Sequence, residues 1–145
     1  IYWPARALRE ILDEEAQTTE FCKILQYLWE HPPATAVPKA QLIRSLESLD
    51  SEELHQVVRR FLDDEDDDVR LAAVQYLMER PEEDFRDDVL QCYLNSEDRP
   101  RIRSQILELF AEKGWTVRGF RPAVEETLPE SFSLTREGRL RRVGP

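Results

Sequence analysis

Glycine is nearly missing from this chain. Four glycines occur in 145 residues, and all four lie at or after Gly114. A β-sandwich or barrel needs turn residues such as glycine along its whole length. Their absence up to Lys113 argues against such folds there and points to helices joined by polar or proline turns. Cysteine is scarce too: Cys22 and Cys92 stand alone, with no Cys-x-x-Cys. Each falls in an apolar helical pattern, so both are expected to be buried, reduced thiols. No apolar run approaches the roughly 20 residues of a membrane span. No secretory signal pattern opens the chain, so a cytoplasmic protein with no membrane partner is the expectation. The first residue is Ile1 rather than Met, which leads us to expect further residues upstream.

Charge, by contrast, is abundant and uneven. Apolar residues make up 41% of the chain, enough for one core despite 34% charged residues. The length suits one domain, read as residues 1–145. The net charge is −10. Residues 1–98 hold 10 Lys/Arg against 24 Asp/Glu, a net of −14; residues 99–145 hold 10 against 6, a net of +4. An acidic body repels phosphate backbones, so nucleic acid is a disfavoured partner. The basic end can still reach something acidic.

Apolar spacing predicts a series of helices. Trp3, Leu8, Ile11 and Leu12 mark one from Tyr2 to Glu14, with Pro4 in its first turn. Thr18 or Thr19 is expected to cap a second, carrying Phe21, Ile24, Leu25, Leu28 and Trp29 to a stop at His31-Pro32-Pro33. Pro32 to Pro38 reads as a linker. A third helix after Pro38 carries Leu42, Ile43, Leu46 and Leu49. Asp50-Ser51-Glu52-Glu53 is a strong helix start. Leu54, Val57, Val58, Phe61 and Leu62 then give the stripe of a buried face. Further helices are expected over Val69–Leu77, Glu82–Leu94, from Asp98 through Phe110 to a stop at Gly114, and Arg121–Leu128. Alternation over Phe132-Ser133-Leu134 and Arg139–Val143, around Arg136-Glu137-Gly138, suggests a small β-hairpin. These elements group residues 1–31 as an N-terminal helix pair, 38–128 as a repeat stack and 129–145 as a hairpin tail.

An internal repeat supports the stack. Val69-Arg70 and Ile102-Arg103 lie 33 residues apart. Ala73, Val74 and Leu77 then align with Ile106, Leu107 and Phe110. One such helix pair cannot bury its apolar face alone, so pairs must stack.

Phe61-Leu62-Asp63-Asp64-Glu65-Asp66-Asp67-Asp68-Val69-Arg70, followed by Ala73 and Leu77, resembles HEAT-like repeats of the short bacterial, bilin-lyase-like type. The resemblance spans roughly residues 38–128, is weak before residue 38, and departs from the pattern where Arg99-Pro100-Arg101 replaces the acids. Ankyrin and tetratricopeptide patterns fit worse. The resemblance implies an all-α, right-handed α-solenoid of stacked helix pairs. It also implies that Arg70 and Arg103 are structural, paired with acids of a neighbouring unit.

Chemistry-bearing motifs are few. The run Asp63–Asp68 invites a calcium reading, but Asp68 stands where an EF-hand loop needs glycine. A solvated turn that charges a helix N-terminus is the plainer reading. His31 and His55 have no Cys or His at ligand spacing and no nucleophile motif beside them, so both are expected at the surface. There is no Gly-rich phosphate loop and no Gly-x-Ser-x-Gly. No catalytic set, metal site or cofactor site is expected.

Surfaces are the remaining candidates. If the second helix of each pair forms a binding wall, Glu52, Gln56, Arg59 and Arg60 line it from one helix, and Glu83, Arg86, Asp87 and Gln91 from another. Gly114-Trp115-Thr116-Val117-Arg118-Gly119-Phe120-Arg121-Pro122 reads as an end cap through Trp115, Val117 and Phe120. Alternatively Trp115, Arg118 and Arg121 join Arg136, Arg139, Arg141 and Arg142 in a contact surface for an acidic protein or a single strand. The leading expectation is a non-catalytic scaffold that binds another protein. The alternatives are nucleic-acid binding through the basic C-terminal segment, or a HEAT-like enzyme of the lyase type. A glycosylase of the HEAT-like class needs a basic groove, which the acidic repeat region does not offer.

Overall fold

Polar caps and apolar stripes place most of the helices, in a chain that divides after Glu79 into two compact units. The computed structural model describes residues 14–31 and 37–143. The helix expected from Tyr2 lies outside the described residues except for Glu14, as does most of the linker before Pro38.

The first unit contains α1 (Glu14–Glu30), α2 (Val37–Arg44), α3 (Glu52–Arg60), a 3-10 turn (Phe61–Asp63) and α4 (Asp67–Met78). Helix α1 runs through Thr18 and Thr19 instead of starting at them. Gln17, Thr18, Phe21, Cys22 and Leu25 form one buried stripe, so packing overrides the local cap signal. At α3 the expected cap is present. Ser51 Oγ accepts the Leu54 N–H at 3.1 Å, with Glu52 and Glu53 in the first turn. The buried stripe Leu54, Val58 continues into Phe61 and Leu62 of the 3-10 turn.

Helix α1 packs on α3, α2 packs on α4, and α3 packs on α4. Stacking on alternate helices is how repeated pairs bury faces that a lone pair leaves open. Helix α4 buries eight of its twelve residues, Val69, Leu71–Val74 and Tyr76–Met78. A helix apolar on nearly all sides belongs at the centre of a core. The Tyr76 hydroxyl stays satisfied there by donating to the Leu49 carbonyl at 2.8 Å.

The second unit contains α5 (Glu82–Asn95), α6 (Pro100–Lys113), α7 (Arg121–Thr127), β1 (Phe132–Leu134) and β2 (Leu140–Arg142). Helix α6 ends at Gly114, whose φ of 70° is the left-handed conformation glycine adopts without strain. Trp115 to Val117 then run beside the hairpin: Thr116 bridges Arg139, and the Val117 N–H donates to the Gly138 carbonyl at 2.8 Å. The strands pair antiparallel, Phe132 with Arg142, Ser133 with Arg141 and Leu134 with Leu140. Phe85, Val89, Leu90, Tyr93, Ile102, Ile106, Leu107, Phe110, Trp115, Val117, Val124 and Leu140 are buried. The expected mostly helical chain with a small C-terminal hairpin is thus observed.

Both repeated arginines make structural contacts, and for Arg103 the expected acidic partners are corrected. Arg103 Nε donates to the Tyr93 carbonyl at 3.1 Å and Nη2 to the Leu94 carbonyl at 3.2 Å. Its guanidinium also lies over the Tyr93 ring. Arg70 Nε donates to the Asp64 carbonyl. These contacts are to main-chain carbonyls of the preceding turn or helix end, which a planar fork of donors suits as well as a carboxylate.

Candidate functional site

The acid run is mostly structural scaffolding. Asp66 caps α4, its Oδ1 accepting the N–H groups of Asp68 and Val69 at 2.9 and 3.2 Å. Asp64 departs from the expected solvated turn. It is buried, pairs with Lys39 Nζ at 2.7 Å and accepts the Asp66 N–H at 2.9 Å. The alkyl stem of Lys39 carries its ammonium into the fold to meet that carboxylate. Among the described residues, no three His, Cys, Asp or Glu form a group able to hold a metal.

His31 is exposed and stacks on Tyr27 at 4.4 Å. His55 is a correction: its side chain is only 14% exposed, facing Asp50 Oδ1 with the Tyr76 ring nearby. Cys22 and Cys92 are buried, as expected, and no disulfide joins them. Burial, with a smaller contribution from Glu53, pushes the Cys22 thiol up to about 11. It is therefore a poor nucleophile near neutral pH.

The wall proposed on the second helices divides into exposed and engaged residues. On α3, Gln56 and Arg60 are exposed and Arg59 is half-buried. Arg59 donates to Gln56 at 2.8 Å, and Arg60 donates to Gln26 of α1 at 2.6 Å. On α5, Glu83, Asp87 and Gln91 are exposed, with Gln91 bonded to Asn95. Arg86 instead turns to Thr116, donating to its Oγ1 at 3.0 Å. Glu82 accepts both the N–H and the hydroxyl of Thr116, at 2.8 and 2.9 Å. Sequence reading missed Glu82 and Thr116, which meet across 34 residues through tertiary packing alone.

The C-terminal arginines separate in the same way. Trp115 is 6% exposed and packs edge-on against Phe110, so it belongs to the core. Arg121 pins the hairpin turn: Nε pairs with Glu125 at 2.6 Å, and Nη1 donates to the carbonyls of Thr135 and Arg136. Arg142 pairs with Glu108 of α6. Arg118, Arg136, Arg139 and Arg141 are exposed. Arg139 and Arg141 flank the buried Leu140, so they share the outward face of β2. None of these four side chains makes a hydrogen bond or ion pair among the described residues.

A family model for HEAT repeats matches residues 22–111, more than half of the chain. The match includes most of α1, upstream of the boundary near residue 38 read from the sequence. No curated protein and no solved structure matches. The alternate-helix packing of the first unit and the Val-Arg turn into α4 agree with that match, and the chain belongs to the HEAT-repeat family.

Proposed function

We propose that this chain is a non-catalytic scaffold that holds another protein. HEAT repeats commonly serve as protein-interaction scaffolds. The observation that carries the reading is the make-up of the exposed helix faces. Glu52, Glu53, Gln56 and Arg60 are exposed on α3, and Glu83, Asp84, Asp87 and Gln91 on α5. Both faces are polar; that of α3 carries both signs and that of α5 is acidic. Protein contacts tolerate that, whereas small-molecule sites are concave and mostly apolar. The basic C-terminal segment keeps nucleic acid as the second reading, because Arg118, Arg136, Arg139 and Arg141 are exposed. That reading loses its stacking platform with the burial of Trp115.

The test is affinity capture from lysate of the source cells with the purified chain, at low and at high salt. A single protein retained at both salts supports the scaffold. Recovery of nucleic acid or ribosomal material alone, lost at high salt, overturns it.

A further inference from the structure

We infer that the C-terminal hairpin takes an acidic, extended segment of a partner protein along the free edge of β2. The inference rests on the scaffold reading and adds the partner's chemistry.

Charge is the first support. Arg118, Arg136, Arg139 and Arg141 sit on one short hairpin and the loop beside it, exposed, in a chain whose net charge is −10. Of the nearby acids, Glu82 is bonded to Thr116, Glu125 to Arg121 and Glu108 to Arg142, which leaves Glu112 on α6 and Glu137 in the turn. These two are too few to neutralise four cations. Like charges gathered this way repel each other, and an acidic ligand relieves the repulsion.

The strand edge is the second support. The Val143 N–H donates to the Ser131 carbonyl, and the Thr135 N–H to the Arg139 carbonyl. With the register between them, this makes Ser133 and Arg141 the hydrogen-bonded pair of the ladder. The main-chain groups of Leu140 and Arg142 therefore point to the other edge of β2. The antiparallel bridge of Thr116 with Arg139 sets Val117 against Gly138 and the Trp115 carbonyl against the Leu140 N–H, so that part of the edge is taken. The Leu140 carbonyl and the main chain of Arg142 continue the edge, and strand addition there is a recurring mode of peptide recognition. A cleft of about 520 Å³ accompanies it, lined by Glu108, Ala111 and Glu112 of α6 with Leu140, Arg141 and Arg142.

The third support separates protein from nucleic acid. Peptide main chain can complete the ladder and a sugar-phosphate backbone cannot. No large aromatic is exposed in the second unit among the described residues, since the exposed ones are Tyr27 and Trp29 of α1. An added strand presents alternate side chains to the arginine face. Acids at every second position of the segment then meet Arg141 directly and Arg139 diagonally.

The experiment measures binding of the whole chain to a labelled peptide of alternating Glu and Val, about ten residues long, by fluorescence anisotropy. The peptide binds, and the Arg139→Glu/Arg141→Glu variant weakens binding at least about tenfold. Replacing Glu by Gln in the peptide, or N-methylating its alternate amides, removes most of the affinity. The Arg139→Gln/Arg141→Gln variant, checked for an unchanged unfolding midpoint, shows the same loss without charge reversal. Unchanged binding by either variant overturns the inference, as does equal binding of the N-methylated peptide. Tighter binding of oligothymidylate than of the Glu peptide also overturns it. If the charge-reversed variant still captures the wild-type chain's protein partner from lysate, the hairpin is excluded and the scaffold reading stands. Capture of no protein by either chain removes the scaffold reading itself.

Discussion

The turns that lead into α4 and α6 begin from the same repeat and are secured differently. Six consecutive acids run from Asp63 into the first turn of α4. Asp66 caps the helix, and Asp64 is buried against Lys39. At the start of α6 the chain reads Arg99-Pro100-Arg101, and the N-cap residue Arg99 makes no side-chain cap hydrogen bond. There Pro100 supplies the first turn with a preset backbone, and buried Ser96 donates to the Cys92 carbonyl at 2.7 Å. Both turns keep one device in common. The arginine after the apolar residue reaches back to main-chain carbonyls, Arg70 to Asp64 and Arg103 to Tyr93 and Leu94. The repeat therefore preserves the arginine clamp while the means of starting the helix varies.

The largest effect is expected where a buried charge loses its partner. Lys39→Ala leaves the Asp64 carboxylate unpaired at 8% exposure and costs about 3 kcal/mol. Chemical denaturation of the variant checks this, and a cost below about 1 kcal/mol would show that water reaches the site. The arginine clamp comes next. Arg103→Ala removes two charge-assisted hydrogen bonds and costs about 2 kcal/mol. Arg103→Lys recovers only part of it, because an ammonium lacks the planar fork.

The caps give a smaller and directly comparative effect. Asp66→Ala and Ser51→Ala each cost about 1 kcal/mol by chemical denaturation, since each removes a side chain that caps a helix. A loss below about 0.3 kcal/mol at either position would mean that this helix start does not depend on its cap. The smallest effect concerns Cys22. Its folded thiol titrates near 11 against an ordinary 9, so the folded state holds the proton more tightly. Its contribution to stability is full below pH 9 and is lost as pH rises from 9 through about 11. Unfolding measured at pH 8 and pH 10.5 should show a shallower loss for Cys22→Ala than for wild type.

Much of the local structure was readable from residue spacing. Ser51 followed by two glutamates, the stripe from Leu54 to Leu62, Gly114 after α6 and the alternation around Gly138 each name a local conformation. Each depends on residues a few positions apart. The reading failed at Thr18, where a capping residue sits in mid-helix because the stripe on which it lies is buried. It also could not tell the C-terminal arginines apart, although Arg121, Arg139 and Arg142 look alike in the sequence.

The sequence by itself determined the helix series, the 33-residue repeat, the hairpin and the contrast between an acidic body and a basic end. These follow from periodicity, caps and counted charges, which act over one or two turns of chain. Only the tertiary structure decided that Lys39 meets Asp64, that Arg86 and Glu82 close on Thr116, that Trp115 is core, and that Arg139 and Arg141 face outward. Those pairings join residues 25 to 34 positions apart. At such separations packing selects the partner, and side-chain type alone does not.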